Sequence, residues 1–170
     1  MVQKSIYQAA TFLTASLLVG CNDSDSLTNN DSYISYVNAI DEQVSFYARD
    51  DTKTSSLYSS KNLTVSLMEG EYSNSIRHKW FGLTSTKFGI QDTNSHSFSA
   101  TIKELLRDDD DYWLVAWQKE QDYAVSLIKK FESSRNNVYR IRIFADQALK
   151  VFLREDSSPV LTTKRGEVSS

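Results

Sequence analysis

Apolar and polar side chains alternate along much of this chain with a period of two residues. The alternation is regular in four segments, which are residues 44–48, 63–67, 98–102 and 139–143. Because successive side chains of a β-strand point to opposite faces of a sheet, each segment predicts a strand with one buried and one solvated face. A sheet with an apolar face must pack against a second layer, so the pattern favours a layered all-β fold.

Five further segments bring the predicted number of strands to about nine. Residues 149–153 also alternate, and they follow 139–143 across a turn at Ala145-Asp146-Gln147, which predicts a hairpin. The remaining segments are residues 33–37, 75–80, 112–118 and 123–129. About nine strands in one domain predict an all-β, immunoglobulin-like antiparallel β-sandwich.

Residues 112–131 allow two interpretations. Five apolar residues also fit one face of a helix, namely Trp113, Trp117, Ala124, Ile128 and Phe131. Residues 112–117 are apolar on every side, which suits a central strand covered on both faces as well as a buried helix. We favour two strands joined at residues 119–122.

The N-terminus has the pattern of an export signal. Residues 9–20 contain no charged residue, and this stretch is too short to cross a bilayer core that needs about 20 helical residues. It ends at Leu18-Val19-Gly20-Cys21, which resembles the processing site of bacterial lipoproteins. The resemblance implies cleavage between Gly20 and Cys21 and lipidation of Cys21. The alternatives are a plain export signal with an incidental cysteine, or a cytosolic protein with a buried N-terminal helix.

The lipoprotein interpretation divides the chain into four parts. They are a signal peptide at 1–20, the lipidated cysteine and a disordered polar tether at 21–32, the β-sandwich at 33–157 and a polar tail at 158–170. Cys21 is the only cysteine, which excludes an internal disulfide and any multi-cysteine metal site. Acyl chains would hold the protein on a membrane without crossing it. Lipoproteins kept at the inner membrane commonly carry an aspartate after the cysteine, so Asn22 favours the outer membrane.

Several short motifs resemble a bacterial envelope family of unknown function. They are Tyr33-Ile34-Ser35-Tyr36-Val37-Asn38-Ala39, Val44-Ser45-Phe46-Tyr47, Met68-Glu69-Gly70-Glu71-Tyr72 and Asp111-Tyr112-Trp113-Leu114-Val115-Ala116. Members of that family are β-sandwich domains of secreted and surface-anchored proteins, often in tandem. The resemblance implies a sandwich after the tether and transfers no catalytic residue.

A faint internal repeat accompanies these motifs. Four residues recur at offsets of 106 and then 105 positions: Ala39, Asp41, Arg49 and Asp51 as Ala145, Asp146, Arg154 and Asp156. Each set frames one proposed hairpin, which supports the assignment of strands.

Residues that carry catalysis are sparse. His78 and His96 have no metal-ligand spacing and are interpreted as solvated surface residues, and no glycine-flanked serine or phosphate-binding glycine loop is present. Asp108 to Asp111 form the densest run of charge, but the run lacks the spaced acids and glycine of calcium-binding loops. We interpret it as a solvated hairpin loop. We therefore expect no enzymatic activity, no cofactor and no metal.

Two sets of residues are candidates for binding. Trp113 and Trp117 lie on the same side of a predicted strand, where they either pack in a core or offer stacking faces to sugar rings. Arg140 and Arg142, with Lys150 across the predicted hairpin, form either a solvated strand face or a basic strip for an anionic glycan or headgroup. A net charge of −3 argues against nucleic acid.

Together these features predict a monomeric envelope lipoprotein that is held on a membrane by its N-terminal lipid. Its sandwich would bind or brace another envelope component, either protein or glycan, without catalysis. The alternatives are a hydrolase of envelope polymers that uses the acidic residues 108–111, and a subunit of a surface fibre that self-associates through strand edges.

Overall fold

The computed structural model describes residues 29–130 and, beyond them, residues 143–145, 148–152, 159, 161–166 and 168–169. Within these residues the regular secondary structure consists of strands alone. The strands are β1 (Asn29–Ala39), β2 (Val44–Asp50), β3 (Leu63–Leu67), β4 (Ile76–Phe81), β5 (Thr86–Asp92), β6 (Ser99–Glu104), β7 (Asp111–Lys119), β8 (Asp122–Lys129), β9 (Ile143–Phe144), β10 (Lys150–Val151), β11 (Leu161–Thr162) and β12 (Val168–Ser169).

Two four-stranded sheets pack face to face and confirm the predicted all-β sandwich. Their strand orders are β4-β1-β7-β8 and β3-β2-β5-β6. The core between them is built from the inward side chains of both sheets, including Ile34 and Tyr36 of β1, Phe46 of β2, Phe88 of β5 and Leu114 of β7. Tyr36 and Phe46 meet edge to face across the two sheets with ring centroids 5.3 Å apart.

One strand pair differs from a purely antiparallel sandwich. β1 and β7 run parallel, in a register that places Tyr33 opposite Asp111 and Ala39 opposite Trp117. Parallel neighbours need a long crossover connection, and here β2 to β6 supply it by way of the second sheet and β4. The first sheet is therefore mixed.

The preferred interpretation of residues 112–131 is confirmed for the part that the structure describes. β7 and β8 pair antiparallel from Tyr112 opposite Lys129 to Lys119 opposite Asp122. The turn needs only Glu120 and Gln121, and Glu120 adopts a φ of 59°. A two-residue hairpin turn favours such left-handed backbone, so the missing glycine or proline signal did not prevent a turn.

β5 was missed by the sequence analysis although it is a central strand. It pairs with β2 on one side and β6 on the other. Gly89 interrupts its alternation, because the loop after β2 crosses this face: a Cβ on Gly89 would lie 2.6 Å from Leu57 Cδ2 and 3.1 Å from Tyr58 Cε1. Contacts with a loop about 30 residues earlier in the chain therefore explain the glycine.

Two predicted boundaries are wrong. β1 begins at Asn29, inside the predicted tether at 21–32, because Asn29 pairs with Phe81 and Ser32 with His78 on β4. The predicted polar tail at 158–170 contains β11 and β12, which pair with β10 and β9 respectively. Most of the predicted hairpin between residues 139–143 and 149–153 lies outside the described residues. In its described part, Ile143 pairs with Ser169 and Val151 pairs with Leu161.

The C-terminal segment repeats the hydrogen bonding at the end of β1. Gly70 has a φ of 70° and donates its N–H to the Asn38 carbonyl at 3.0 Å; Gly166 has a φ of 69° and donates to the Ala145 carbonyl at 2.9 Å. Val37 pairs with Tyr72 in the first arrangement, and Phe144 pairs with Val168 in the second. This likeness aligns Ala145 with Asn38 rather than with Ala39, so it does not reproduce the offsets of the repeat found in the sequence. Asp146, Arg154 and Asp156 lie outside the described residues.

Candidate binding cleft beside Trp117

The outer face of β7 carries the two tryptophans that the sequence singled out. Tyr112, Leu114 and Ala116 point into the core, so Trp113 and Trp117 share the opposite face. Their environments differ: Trp113 is 37% exposed, whereas Trp117 is 6% exposed. The difference arises because the C-terminal segment covers only the Trp117 end of the strand.

Trp117 is held on three sides. Its Nε1–H donates to Ser126 Oγ on β8 at 3.0 Å, and its ring meets Phe144 edge to face with centroids 5.6 Å apart. Gly166 packs so closely that a Cβ there would lie 2.6 Å from Trp117 Cζ2. The ring thus anchors the C-terminal segment to the sandwich, and the two tryptophans do not form one exposed stacking platform.

Trp113 is capped by a cation. Lys130 Nζ lies 4.2 Å from the ring centroid and donates to Ser35 Oγ at 2.8 Å. Burial lowers the pKa of Lys130 from its usual range. The ammonium therefore covers one face of the Trp113 ring.

A cleft of about 500 Å³ opens beside Trp117, between the end of β1 and the C-terminal segment. Asp41 and Gln118 supply polar groups, and Phe144 and Leu149 supply apolar surface. Ala39, Ala145 and the Trp117 ring complete the lining. Among the described residues of this lining Asp41 is the one that is ionisable, and its carboxylate suits hydroxyl groups or a cationic side chain better than an anion.

The other predicted site residues do not join this cleft within the part of the chain that is described. Arg140 and Arg142 lie outside the described residues, as do Gly20 and Cys21. Lys150 lies on β10 and is exposed. Among the described residues no helix is long and apolar enough to span a bilayer.

The acidic loop before β7 is tied to its surroundings. Asp108 Oδ1 accepts the Asp31 N–H at 2.8 Å, and Asp110 Oδ2 lies 2.5 Å from Lys129 Nζ. Carboxylate oxygens of Asp31, Asp108 and Asp109 come within 4.8 Å of one another, and Arg77 binds Asp31. These bonds support a structural role for the loop. The interpretation as a hairpin loop is wrong, because the loop joins β6 and β7, which lie in different sheets.

His78 is not a solvated surface residue. It is half-buried, its Nε2 lies 3.3 Å from Thr86 Oγ1, and its ring stacks on Trp80 with an interplanar angle of 24°. Burial lowers the pKa of His78 below its usual value. The alternation along β4 could have indicated this burial, because His78 shares a face of the strand with Ile76 and Trp80.

Asp92 is a structural residue that the sequence analysis did not select. Its carboxylate accepts hydrogen bonds from the Asn94 N–H at 2.9 Å, from Ser97 Oγ at 2.9 Å and from Ser95. These bonds hold the pKa of Asp92 well below its usual range. An aspartate that starts a run of Thr, Asn and Ser is the signal for such a turn.

No protein-family model matches this chain, and no curated protein matches it. The described strands define the domain as an all-β sandwich, and it has a cleft beside Trp117.

Proposed function

We propose that this protein is a bacterial envelope lipoprotein, anchored through acyl chains on Cys21, whose β-sandwich is a non-enzymatic binding module. The observation that carries the proposal is the placement of Leu18-Val19-Gly20-Cys21 at the end of an uncharged segment, eight residues before the sandwich begins at Asn29. A folded domain that starts so soon after the lipidated residue is arranged for display on a membrane surface.

The anchor would rest on more than one acyl chain. Each buried methylene contributes about 0.8 kcal/mol, and a single chain gives only marginal, reversible binding. Two or more chains on Cys21 and its α-amino group would hold the protein without a spanning segment. Asn22 favours the outer membrane as the final location.

The cleft beside Trp117 is the proposed binding site. Its apolar wall rests on Trp117, which is fixed by Ser126 and by the C-terminal segment, so the wall is pre-organised. Asp41 and Gln118 are exposed at its rim and offer hydrogen bonds. This chemistry fits the hydroxyl groups of an envelope glycan or a basic side chain of an envelope protein.

Metabolic labelling with an alkyne fatty acid tests the anchor. The wild-type chain should take up the label and partition with membranes, and the Cys21→Ser variant should do neither. Mass analysis of the N-terminal peptide should place the acyl groups on Cys21. A wild-type protein without acyl groups would refute the proposal.

Site-specific photo-crosslinking in cells tests the cleft. A photoreactive residue at Gln118 should capture an envelope component, whereas the same residue at Thr101, exposed in the middle of β6, should not. Asp41→Ala should weaken the capture at position 118 without changing the melting temperature. Equal yields from both positions would contradict a role for the cleft.

A further inference from the structure

Three of the most exposed large apolar residues of the described chain gather at one end of the sandwich. Leu83 is 80% exposed, Leu105 57% and Phe81 51%. Leu83 lies in the turn between β4 and β5, which we call the β4–β5 turn (residues 81–85). Leu105 follows Glu104, which pairs with Thr86 directly after that turn.

The same end receives the chain from the proposed anchor. Asn29, where β1 begins, pairs with Phe81, and Asn30 Nδ2 donates to the Gly82 carbonyl at 3.0 Å. Asn29 lies eight positions after Cys21. At about 3.3–3.6 Å per residue they span at most about 28 Å, so a lipidated Cys21 keeps this end of the sandwich close to the bilayer.

Charges near the β4–β5 turn are largely paired. Four ion pairs lie at this end: Arg77 with Asp31, Lys53 with Asp50, Lys103 with Asp51 and Lys129 with Asp110. Asp108 and Asp109 crowd against Asp31 on the β7 side of β1, whereas the β4–β5 turn lies on the other side, beside the exposed Lys79. The exposed Glu104 also lies beside the turn, so a surface approached by the turn meets its apolar groups together with Lys79 and Glu104.

We infer that the β4–β5 turn is a membrane-contact element, in which Phe81 and Leu83 insert into the headgroup region of the bilayer that holds the lipid anchor. The inference rests on the proposed lipidation of Cys21. Exposed apolar clusters of this kind mark interaction surfaces, and the short connection to Cys21 makes the bilayer the nearest one. The anchor then sets the distance of the domain from the bilayer, and the turn sets the orientation of the domain relative to the bilayer surface.

Fluorescence depth measurement on the full-length lipidated protein tests the inference. Leu83→Cys introduces a thiol for an environment-sensitive label, since Cys21 is blocked by its acyl group. Tyr72→Cys is the matched control, because Tyr72 is also exposed and pairs with Val37 near the opposite end of β1. Both proteins are placed in phosphatidylethanolamine–phosphatidylglycerol vesicles, with and without doxyl-labelled lipid.

The label at position 83 should emit at shorter wavelength on vesicles and be quenched by the doxyl lipid, and the label at position 72 should show neither effect. Equal, water-like emission at both positions in an acylated protein would overturn the membrane contact and leave the lipoprotein proposal intact. Shielding at position 83 without doxyl quenching would overturn it as well, since it points to a protein on the turn. Labelling of Cys21 itself would show that the anchor is absent and would overturn both.

Discussion

Replacing Gly166 by alanine should break the contact that joins the C-terminal segment to the sandwich. Gly166 has a φ of 69°, and a Cβ at this position would lie 2.6 Å from Trp117 Cζ2 and 2.8 Å from Cη2. Gly70 provides a matched control, because its N–H bonds the Asn38 carbonyl at the end of β1 as the Gly166 N–H bonds the Ala145 carbonyl. Its φ is 70°, but nothing lies within 4 Å of a Cβ built there.

The two substitutions separate backbone strain from steric overlap. A non-glycine residue in the left-handed region costs about 1–2 kcal/mol, and both variants bear this cost. Only Gly166→Ala also forces atoms into a packed ring, which costs roughly a further 1–3 kcal/mol. We therefore expect Gly70→Ala to lower the free energy of unfolding by about 1–2 kcal/mol, and Gly166→Ala by about 2–5 kcal/mol.

Urea unfolding combined with acrylamide quenching of tryptophan fluorescence measures both effects. Quenching should rise in Gly166→Ala and stay unchanged in Gly70→Ala, because only the first variant uncovers Trp117. Trp117→Phe should reduce the added cost of Gly166→Ala, since the smaller ring relieves the overlap, and this would appear as a coupling energy in a double-mutant cycle. If both glycine variants lose the same stability and show no coupling to Trp117, the C-terminal segment does not form the second wall of the cleft.

Three further predictions concern polar residues. Asn38→Ala should cost about 3 kcal/mol in urea unfolding, because the buried amide bonds the Glu42, Leu67 and Met68 carbonyls and the Ile40 N–H; a loss below about 1 kcal/mol would contradict this. The lowered pKa of His78 gives stability that is complete above about pH 6.5 and declines as pH falls towards the folded-state pKa. His78→Gln should therefore flatten the dependence of the melting temperature on pH between about pH 7 and 5. The lowered pKa of Asp92 gives stability that is present above about pH 4 and lost as pH falls below it. Asp92→Asn should therefore reduce the difference in the urea midpoint of unfolding between about pH 5 and 3. An unchanged difference would argue against the role of Asp92 in bracing its turn.

The sandwich was predictable because its information is local. Alternation along residues 63–67 gives β3 to the residue, and the alternating segments at 44–48 and 98–102 fall almost entirely within β2 and β6. The sequence pattern did not predict β5, because its central residue, Gly89, is explained by close contacts with Leu57 and Tyr58 on a loop distant in sequence. A period-two pattern indicates the two faces of one strand. It does not indicate which loop packs across that strand.

The candidate site depended on contacts far apart in sequence. Trp113 and Trp117 lie on the same face of one strand and have similar neighbours in the sequence, so the local sequence does not distinguish their environments. Trp117 is covered by Phe144 and Gly166, which lie 27 and 49 residues later, and Trp113 is capped by Lys130 from the end of the β8 hairpin. The alternation of residues 139–143 predicts a strand, but it does not indicate that Phe144, which follows it, packs on Trp117.

The geometry of β1 links the proposed anchor to the proposed binding site. Asn29 begins the strand beside the β4–β5 turn, and Ala39 ends it at the lining of the cleft, opposite Trp117. Eleven residues at about 3.3 Å per residue place the two ends roughly 33 Å apart. An anchor that holds the first end against the bilayer therefore presents the cleft on the side of the domain that faces away from the membrane. A short connection to Cys21 then serves binding directly, because it fixes the height at which a partner in the surrounding compartment meets Asp41 and Gln118.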